Sequence, residues 1–146
     1  MVSPAVTLLS PISGSTVNTP SVPVQVNVSD LHPVTATLTV NASPPQPITL
    51  SASSYSTSVT LENGSNTLII DAVDAAGNRG TATSNILVDT EPPVVTITAP
   101  VAGVELTGIV SVTADVSDFL SGVDQAELLA NGVSVAKRST APYNFR

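Results

Sequence analysis

Six acidic side chains fall in three short stretches of the sequence, and carboxylates are the side chains that bind calcium. The stretch VDTEPP contains Asp89 and Glu91, and DVSDFLSGVD at 115–124 contains three aspartates. Ca²⁺ takes about six to eight oxygen ligands in a flexible arrangement, whereas Mg²⁺ demands stricter octahedral geometry. The sequence therefore suggests a calcium site, whose candidate ligands are Asp89, Glu91, Asp115, Asp118, Asp124 and Glu62.

The sequence gives little support for other metal sites or for catalysis. The chain has no Cys and a single His, His32, which lies next to Pro33 in a predicted turn. The absence of Cys excludes thiolate metal sites, and a single His provides too few nitrogen ligands for a transition metal. No G-x-S-x-G stretch and no partnered nucleophile and base are found, so the sequence does not predict an enzyme. The alternative for the acidic residues is that they are solvated loop carboxylates.

Charge and the length of apolar runs argue against two kinds of partner, nucleic acid and the membrane interior. The net charge is −7, and the only cations are Arg79, Lys137, Arg138 and Arg146. Nucleic-acid surfaces need clustered Lys and Arg, so no nucleic-acid partner is expected. No apolar run approaches the length of a membrane span, and the N-terminus lacks the pattern of a signal peptide. If the parent protein is exported, we expect its targeting segment to lie outside this sequence.

The elements that position the acidic residues are predicted to be strands. Val, Thr, Ser and Ala are abundant, and 12 Pro and 8 Gly supply turn formers. In VPVQVNVS the residues Val24, Val26 and Val28 alternate with polar ones, as in a strand with one buried face. DAAGNRG at 74–80 has the Gly and Asn of a hairpin, in which Asp74 and Asn78 are expected to shape the turn. The chain is therefore predicted to be all-β.

An internal repeat sets the domain organisation. VTLLSP at 6–11 returns as VTITAP at 95–100, and VQVNVSD at 24–30 returns as VTADVSD at 112–118. VTATLTVN at 34–41 has its counterpart in VDQAELLAN, so three elements recur in the same order. The spacing of 88 or 89 residues is a normal size for a small β-sandwich.

The repeat predicts one complete domain and a truncated second copy. The first domain spans 1–90, and 91–146 holds about strands A to D of the second. Seven strands are expected in the first copy, near 5–10, 22–29, 34–41, 46–51, 55–61, 66–74 and 80–88. The second copy lacks counterparts of the last three, which leaves an apolar face and open strand edges. We therefore predict a homo-oligomer formed by strand exchange or edge pairing through residues 94–146.

Two stretches carry a resemblance to a known family. GSNTLIIDAVDAAGNRG followed by VDTEPPVVTITAP, and SVTADVSDFLSGVDQAELLANG, resemble the tandem bacterial immunoglobulin-like repeats of surface proteins, adhesins and secreted enzymes. The resemblance covers nearly the whole chain and implies an immunoglobulin-like β-sandwich. The chain has neither the Trp nor the Cys of an antibody core, so aliphatic side chains must fill the interior.

This fold gives the acidic residues a common location. In such sandwiches the B–C loop lies at the same end as the N-terminus of its domain, so residues 115–124 should approach the stiff Pro-Pro linker. The E–F loop of the first copy, with Glu62, should face the same junction. We expect calcium there to make the connection between the repeats rigid.

The sequence predicts a non-catalytic stalk or spacer in a bacterial surface or secreted protein, with neighbouring repeats of that protein as its partners. Two rival functions stay open. One is an accessory domain of a secreted carbohydrate-active or other degradative enzyme, and the other is a strand-exchanged filament subunit. An extracellular or cell-surface location follows from all three.

Overall fold

The computed structural model describes residues 2–32 and 34–146. The chain divides into two compact units, Met1–Thr90 and Glu91–Arg146. In the part of the chain that is described, the regular elements are strands, and no helix is long and apolar enough to cross a membrane. The predicted all-β class is thus confirmed.

The first unit is built from two sheets. Its strands are β1 (Ala5–Ser10), β2 (Thr16–Val17), β3 (Ser21–Ser29), β4 (Val34–Val40), β5 (Gln46–Ile48), β6 (Ser54–Thr60), β7 (Gly64–Asp74) and β8 (Arg79–Val88). One sheet has three strands in the order β1-β3-β6, and the other has five in the order β2-β8-β7-β4-β5. The seven predicted strands are all present. The short strand β2, which pairs in parallel with β8, was not anticipated.

The core of the first unit lies between these two sheets. Leu68, Ile70 and Ala72 alternate along β7 with less buried residues, as their spacing predicts. The valines of β3 meet them from the other sheet, and every second residue of that strand is buried. The core contains no aromatic residue apart from the half-buried Tyr55. Small branched side chains therefore fill the interior, as predicted.

The second unit repeats part of this plan. Its strands are β9 (Val94–Ala99), β10 (Val112–Ser117), β11 (Ala126–Ala130), β12 (Val133–Arg138) and β13 (Tyr143–Phe145). A three-stranded sheet has the order β13-β10-β9, and β11 pairs with β12 in a second ladder. Asn131 and Gly132 form the turn between β11 and β12, and both have positive φ.

The strand registers show how closely the two units correspond. In the first unit Leu8 lies opposite Val26, and the register shifts immediately afterwards. In the second unit Ile97 lies opposite Ala114, and the shift falls at the equivalent place. Strand β13 pairs with β10 as β6 pairs with β3. Strand β13 is therefore the counterpart of the first part of β6.

Candidate functional site

Two of the predicted calcium ligands belong to the first unit. Asp89 directly follows β8 and is buried, and its backbone N–H donates to the Val17 carbonyl at 2.9 Å. Glu62 is exposed in the connection that carries the chain from β6 in one sheet to β7 in the other. The structure of this unit therefore gives the two carboxylates different surroundings.

The other four candidates belong to the second unit. Glu91, Asp115 and Asp124 are exposed, and Asp118 is half-buried just after β10. Oδ1 of Asp118 accepts backbone N–H groups from Leu120 at 3.2 Å, Ser121 at 2.9 Å and Gly122 at 2.8 Å. Asp118 therefore shapes its own loop, whether or not an ion is also bound.

Neither unit, within its described residues, contains a group of three or more His, Asp or Glu side chains placed to hold a metal ion. The calcium hypothesis requires ligands from both units. Asp89 and Glu62 belong to the first unit, and the remaining four belong to the second. Calcium binding at the junction thus stays a prediction, and its test is given below.

The carboxylate of Asp74 accepts three hydrogen bonds. Its Oδ2 accepts from Asn78 Nδ2 at 2.7 Å, and its Oδ1 accepts from the backbone N–H groups of Ala76 and Asn78. These hydrogen bonds, led by that from the Asn78 side chain, lower the pKa of Asp74 although its burial opposes the shift. The predicted turn-shaping role of both residues is confirmed, because they fix the turn between β7 and β8.

A large apolar side chain is exposed at the same loop position in each unit. Leu31 follows Asp30 and is 94% exposed, and Phe119 follows Asp118 and is 98% exposed. Asp30 accepts the backbone N–H of His32 at 2.8 Å, so the turn begins alike in the two loops. The Phe119 ring is therefore not packed in a core and is available for a surface contact.

The most distinctive surface of the second unit is an open apolar face. Val95 and Ile97 on β9 are 61% and 60% exposed, although their counterparts Val6 and Leu8 pack against the core of the first unit. A cleft of about 270 Å³ runs along this face, between the three-stranded sheet and β11. Its floor is closed by Phe145, which is buried and has the Arg138 guanidinium 5.7 Å from its ring centroid.

The β11–β12 ladder carries an ion pair between its two strands. Glu127 forms an ion pair with Lys137 at 3.5 Å. A hydrogen bond from Ser134 lowers the pKa of Glu127; desolvation opposes this shift, and the charge and hydrogen bond of Lys137 add to it. The ladder therefore carries a charged pair close to the apolar residues that line the cleft.

These features define a class of protein: all-β sandwiches of immunoglobulin-like topology, occurring here as bacterial repeats. Residues 4–90 match the family described as glucodextranase, domain B, and residues 93–146 match the family described as bacterial Ig domain. The chain belongs to the glucodextranase domain B family through its first unit. No curated protein sequence matches the chain.

Two solved structures are similar to the chain. The fibronectin(III)-like modules of Clostridium thermocellum CbhA have a TM-score of 0.56 and 25% identity, over 96% of this chain and 76% of that one. An engineered protein has a TM-score of 0.46 and 22% identity, over 58% of this chain and 20% of that one. The first similarity supports the immunoglobulin-like sandwich that the strand order shows.

Proposed function

We propose that this chain is a non-catalytic pair of immunoglobulin-like repeats that acts as a stalk or spacer in a bacterial surface or secreted protein. The observation that carries the proposal is the repetition itself. The pairing of β1 with β3 recurs between β9 and β10, with the same inward positions and the same irregularity. A repeated module joined by a short linker containing Pro92 and Pro93 sets a distance between whatever lies on either side of it.

The side chains of the first unit support a structural role. The buried Asn66 and Asp74 direct their polar atoms to the backbone of their own turns. Polar groups used in this way stabilise loops and are not available to a substrate. Tyr55 is half-buried and Tyr143 is buried, so neither offers the exposed ring on which a sugar stacks.

A second candidate is an accessory module of a secreted carbohydrate-active enzyme. The family description favours it, since the first unit matches a domain named after glucodextranase. In this role too the chain would be non-catalytic and extracellular. The two candidates differ in one measurable property, because a carbohydrate-binding accessory module retains affinity for glucans and a spacer does not.

Affinity electrophoresis through gels containing dextran or other soluble glucans separates the two. The spacer proposal expects unchanged mobility of the full chain in every glucan, and no release of reducing sugar from any of them. Retarded migration would support the accessory role instead. The exposed aromatic Phe119 would then be the first residue to test, by Phe119→Ala with Leu31→Ala as the matched variant in the other unit.

A further inference from the structure

The two sheets of the first unit end in four outer strands, β1, β2, β5 and β6, and the first three are protected. Strand β2 has only two residues, and β5 has three, one of which is Pro47. Strand β1 has a register shift after Leu8 and contacts β8 of the other sheet. Short strands, prolines and bulges are the means by which proteins prevent pairing at a sheet edge.

Strand β6 has none of these protective features. Its seven residues, SYSTSVT, include no Pro, no Gly and no charged side chain. It pairs continuously with β3, from Ser54 opposite Asn27 to Thr60 opposite Ser21. A long, regular and uncharged edge strand of this kind is a template for a further strand.

The hydrogen bonds at the two ends of the β3–β6 ladder show which way the backbone groups of β6 point. At one end the Leu61 N–H donates to the Pro20 carbonyl at 2.8 Å. At the other end the Val28 N–H donates to the Ser53 carbonyl, also at 2.8 Å. Because hydrogen-bonded pairs alternate along an antiparallel ladder, the odd-numbered residues of β6 bond to β3. The even-numbered residues therefore direct their N–H and C=O groups to the outer edge.

Three of these even-numbered residues, Ser56, Ser58 and Thr60, have no strand beside them in the described part of the chain. The fourth, Ser54, exchanges backbone hydrogen bonds with Ser51 at 2.7 and 2.9 Å. The turn before β6 thus closes one end of the edge and leaves the rest open.

The side chains around this open edge carry no charge, although the net charge of the chain is −7. The outward side chains of β6 are hydroxyls, and the neighbouring exposed residues of β3 include Pro23, Gln25 and Asn27. On the inward side, Tyr55 and Val59 are partly buried against the core. A second copy that approached through β6 would therefore meet neutral groups and no like charge.

We propose that two copies of this chain associate through β6, antiparallel about a two-fold axis at Ser58. Ser58 of one copy lies opposite Ser58 of the other, and Ser56 lies opposite Thr60 of the partner copy. Each residue that faces the open edge then gains a partner for both its N–H and its C=O. An axis at Thr57 would instead bring Thr60 to Ser54, whose backbone groups are already bonded to Ser51.

The strand is complementary to itself in this register, which is why a second copy is the occupant. Outward hydroxyls meet outward hydroxyls, and on the inner side Thr57 meets Val59 of the partner copy. Cross-strand pairs of these kinds stabilise a sheet. The contact uses the same edge of both copies, so it closes as a dimer in which two three-stranded sheets become continuous. The proposal goes beyond the spacer role and does not depend on it.

Disulfide cross-linking tests the register, because the chain has no Cys of its own. In full-length Ser58→Cys protein the two opposed Cα atoms would be about 5.5 Å apart, a distance that a disulfide spans. Thr60→Cys is the matched control on the same strand and face, since its two copies would lie about 14 Å apart. With oxidised glutathione, we expect the Ser58→Cys dimer to form about tenfold faster than the Thr60→Cys dimer.

A mixture of two variants restores an opposed pair. Ser56→Cys protein mixed with Thr60→Cys protein should give a heterodimer, identified by its mass, as fast as Ser58→Cys gives its homodimer. Equal rates for Ser58→Cys and Thr60→Cys would overturn the proposed register. Failure of the mixture to exceed Thr60→Cys alone would overturn it as well.

Sedimentation velocity on the chain without Cys gives an independent test. The dimer fraction should rise with protein concentration up to about 1 mM, because pairing through one strand is a small interface. Ser58→Lys should abolish the dimer by placing two like charges opposite each other. Thr7→Lys, which adds the same charge at an exposed position of β1, should retain it.

Urea unfolding checks that the lysine variants keep the fold, and both should show the midpoint of the unmodified chain because both positions are exposed. A chain that is monomeric at every concentration would overturn the proposal. A dimer that survives Ser58→Lys, including one formed through residues 94–146, would overturn it too.

Discussion

Asn41 Nδ2 donates to Asn66 Oδ1 at 3.0 Å and so joins the β4–β5 turn to the beginning of β7. Asn66 is 2% exposed and uses its remaining capacity on the loop before it. It donates to the carbonyls of Glu62 and Gly64 at 2.7 and 2.9 Å and accepts the Glu62 N–H at 3.1 Å. One buried side-chain amide therefore provides hydrogen-bond partners for backbone groups of the connection between the two sheets.

Replacing Asn66 by Ala should cost about 1–3 kcal/mol of the free energy of unfolding of the first unit, because backbone groups of this partly buried connection lose their partners. Urea denaturation followed by the amide signals of β7 measures this. Asn41→Ala should cost less, since the turn it serves is more exposed. A loss below about 0.5 kcal/mol for Asn66→Ala, the level of an ordinary surface change, would contradict the structural role.

Gly80 allows β1 to approach β8. A Cβ at Gly80 would collide with the carbonyl oxygen of Pro4, a backbone atom that cannot turn aside. Gly80→Ala should therefore destabilise the first unit by about 1–3 kcal/mol, the cost of overpacking. Thr83→Ala, at an exposed position of the same strand, should stay within about 0.5 kcal/mol in the same urea titration. Equal stability of the two variants would show that β1 does not lie where it is described.

The lowered pKa of Asp74 predicts an acid-labile first unit. Since the folded pKa lies below the unfolded one, this carboxylate contributes stability above the unfolded pKa of about 3.9, and the contribution is lost as pH falls through the folded pKa. The free energy of unfolding should fall below about pH 4, and less steeply in Asp74→Asn. Thr83→Ala, an exposed control without a titratable group, should keep the wild-type slope. Identical slopes for wild type and Asp74→Asn would contradict this assignment.

The calcium hypothesis predicts a modest, reversible effect. Extracellular modules bind calcium with Kd of about 10⁻⁴ to 10⁻³ M, so a tenfold excess should add about 1.4 kcal/mol to the free energy of unfolding. EDTA should reverse the gain, and Asp115→Asn or Asp124→Asn should remove it. Glu105→Gln, which changes an exposed carboxylate outside the candidate set, should not. Calorimetric titration with no heat of binding, and melting unchanged by millimolar calcium, would remove the site.

The strands were predictable because their signals are local. The alternation of Val24, Val26 and Val28 on β3, and the Asn131-Gly132 turn, depend only on side-chain period and backbone φ. The pairing of β2 could not be predicted in this way. Its partner β8 lies about seventy residues further along the chain, and two residues are too few to show a period. The Asn66 network could not be predicted for the same reason, because Asn41 and Asn66 are 25 residues apart.

For the second unit, the sequence indicated which residues are apolar, and the structure shows which of them are exposed. Only the coordinates reveal that β11 pairs with β12 and that Phe145 helps to line the cleft. The six acidic residues were identified by type and order, but ligation requires distances that sequence spacing does not fix. Asp118 illustrates this, because its carboxylate accepts a backbone hydrogen bond within its own loop, a role that needs no metal ion.

The amino-acid sequence by itself determined that the chain is all-β, that its interior is aliphatic and that similar segments recur in the same order. Those properties follow from side-chain period, from residue volume and from the order of similar segments. Tertiary structure decided which edges remain open, which amides hold the loops and where Gly80 admits a neighbouring backbone. These are contacts between segments distant in sequence, and their geometry is fixed only when the sheets pack.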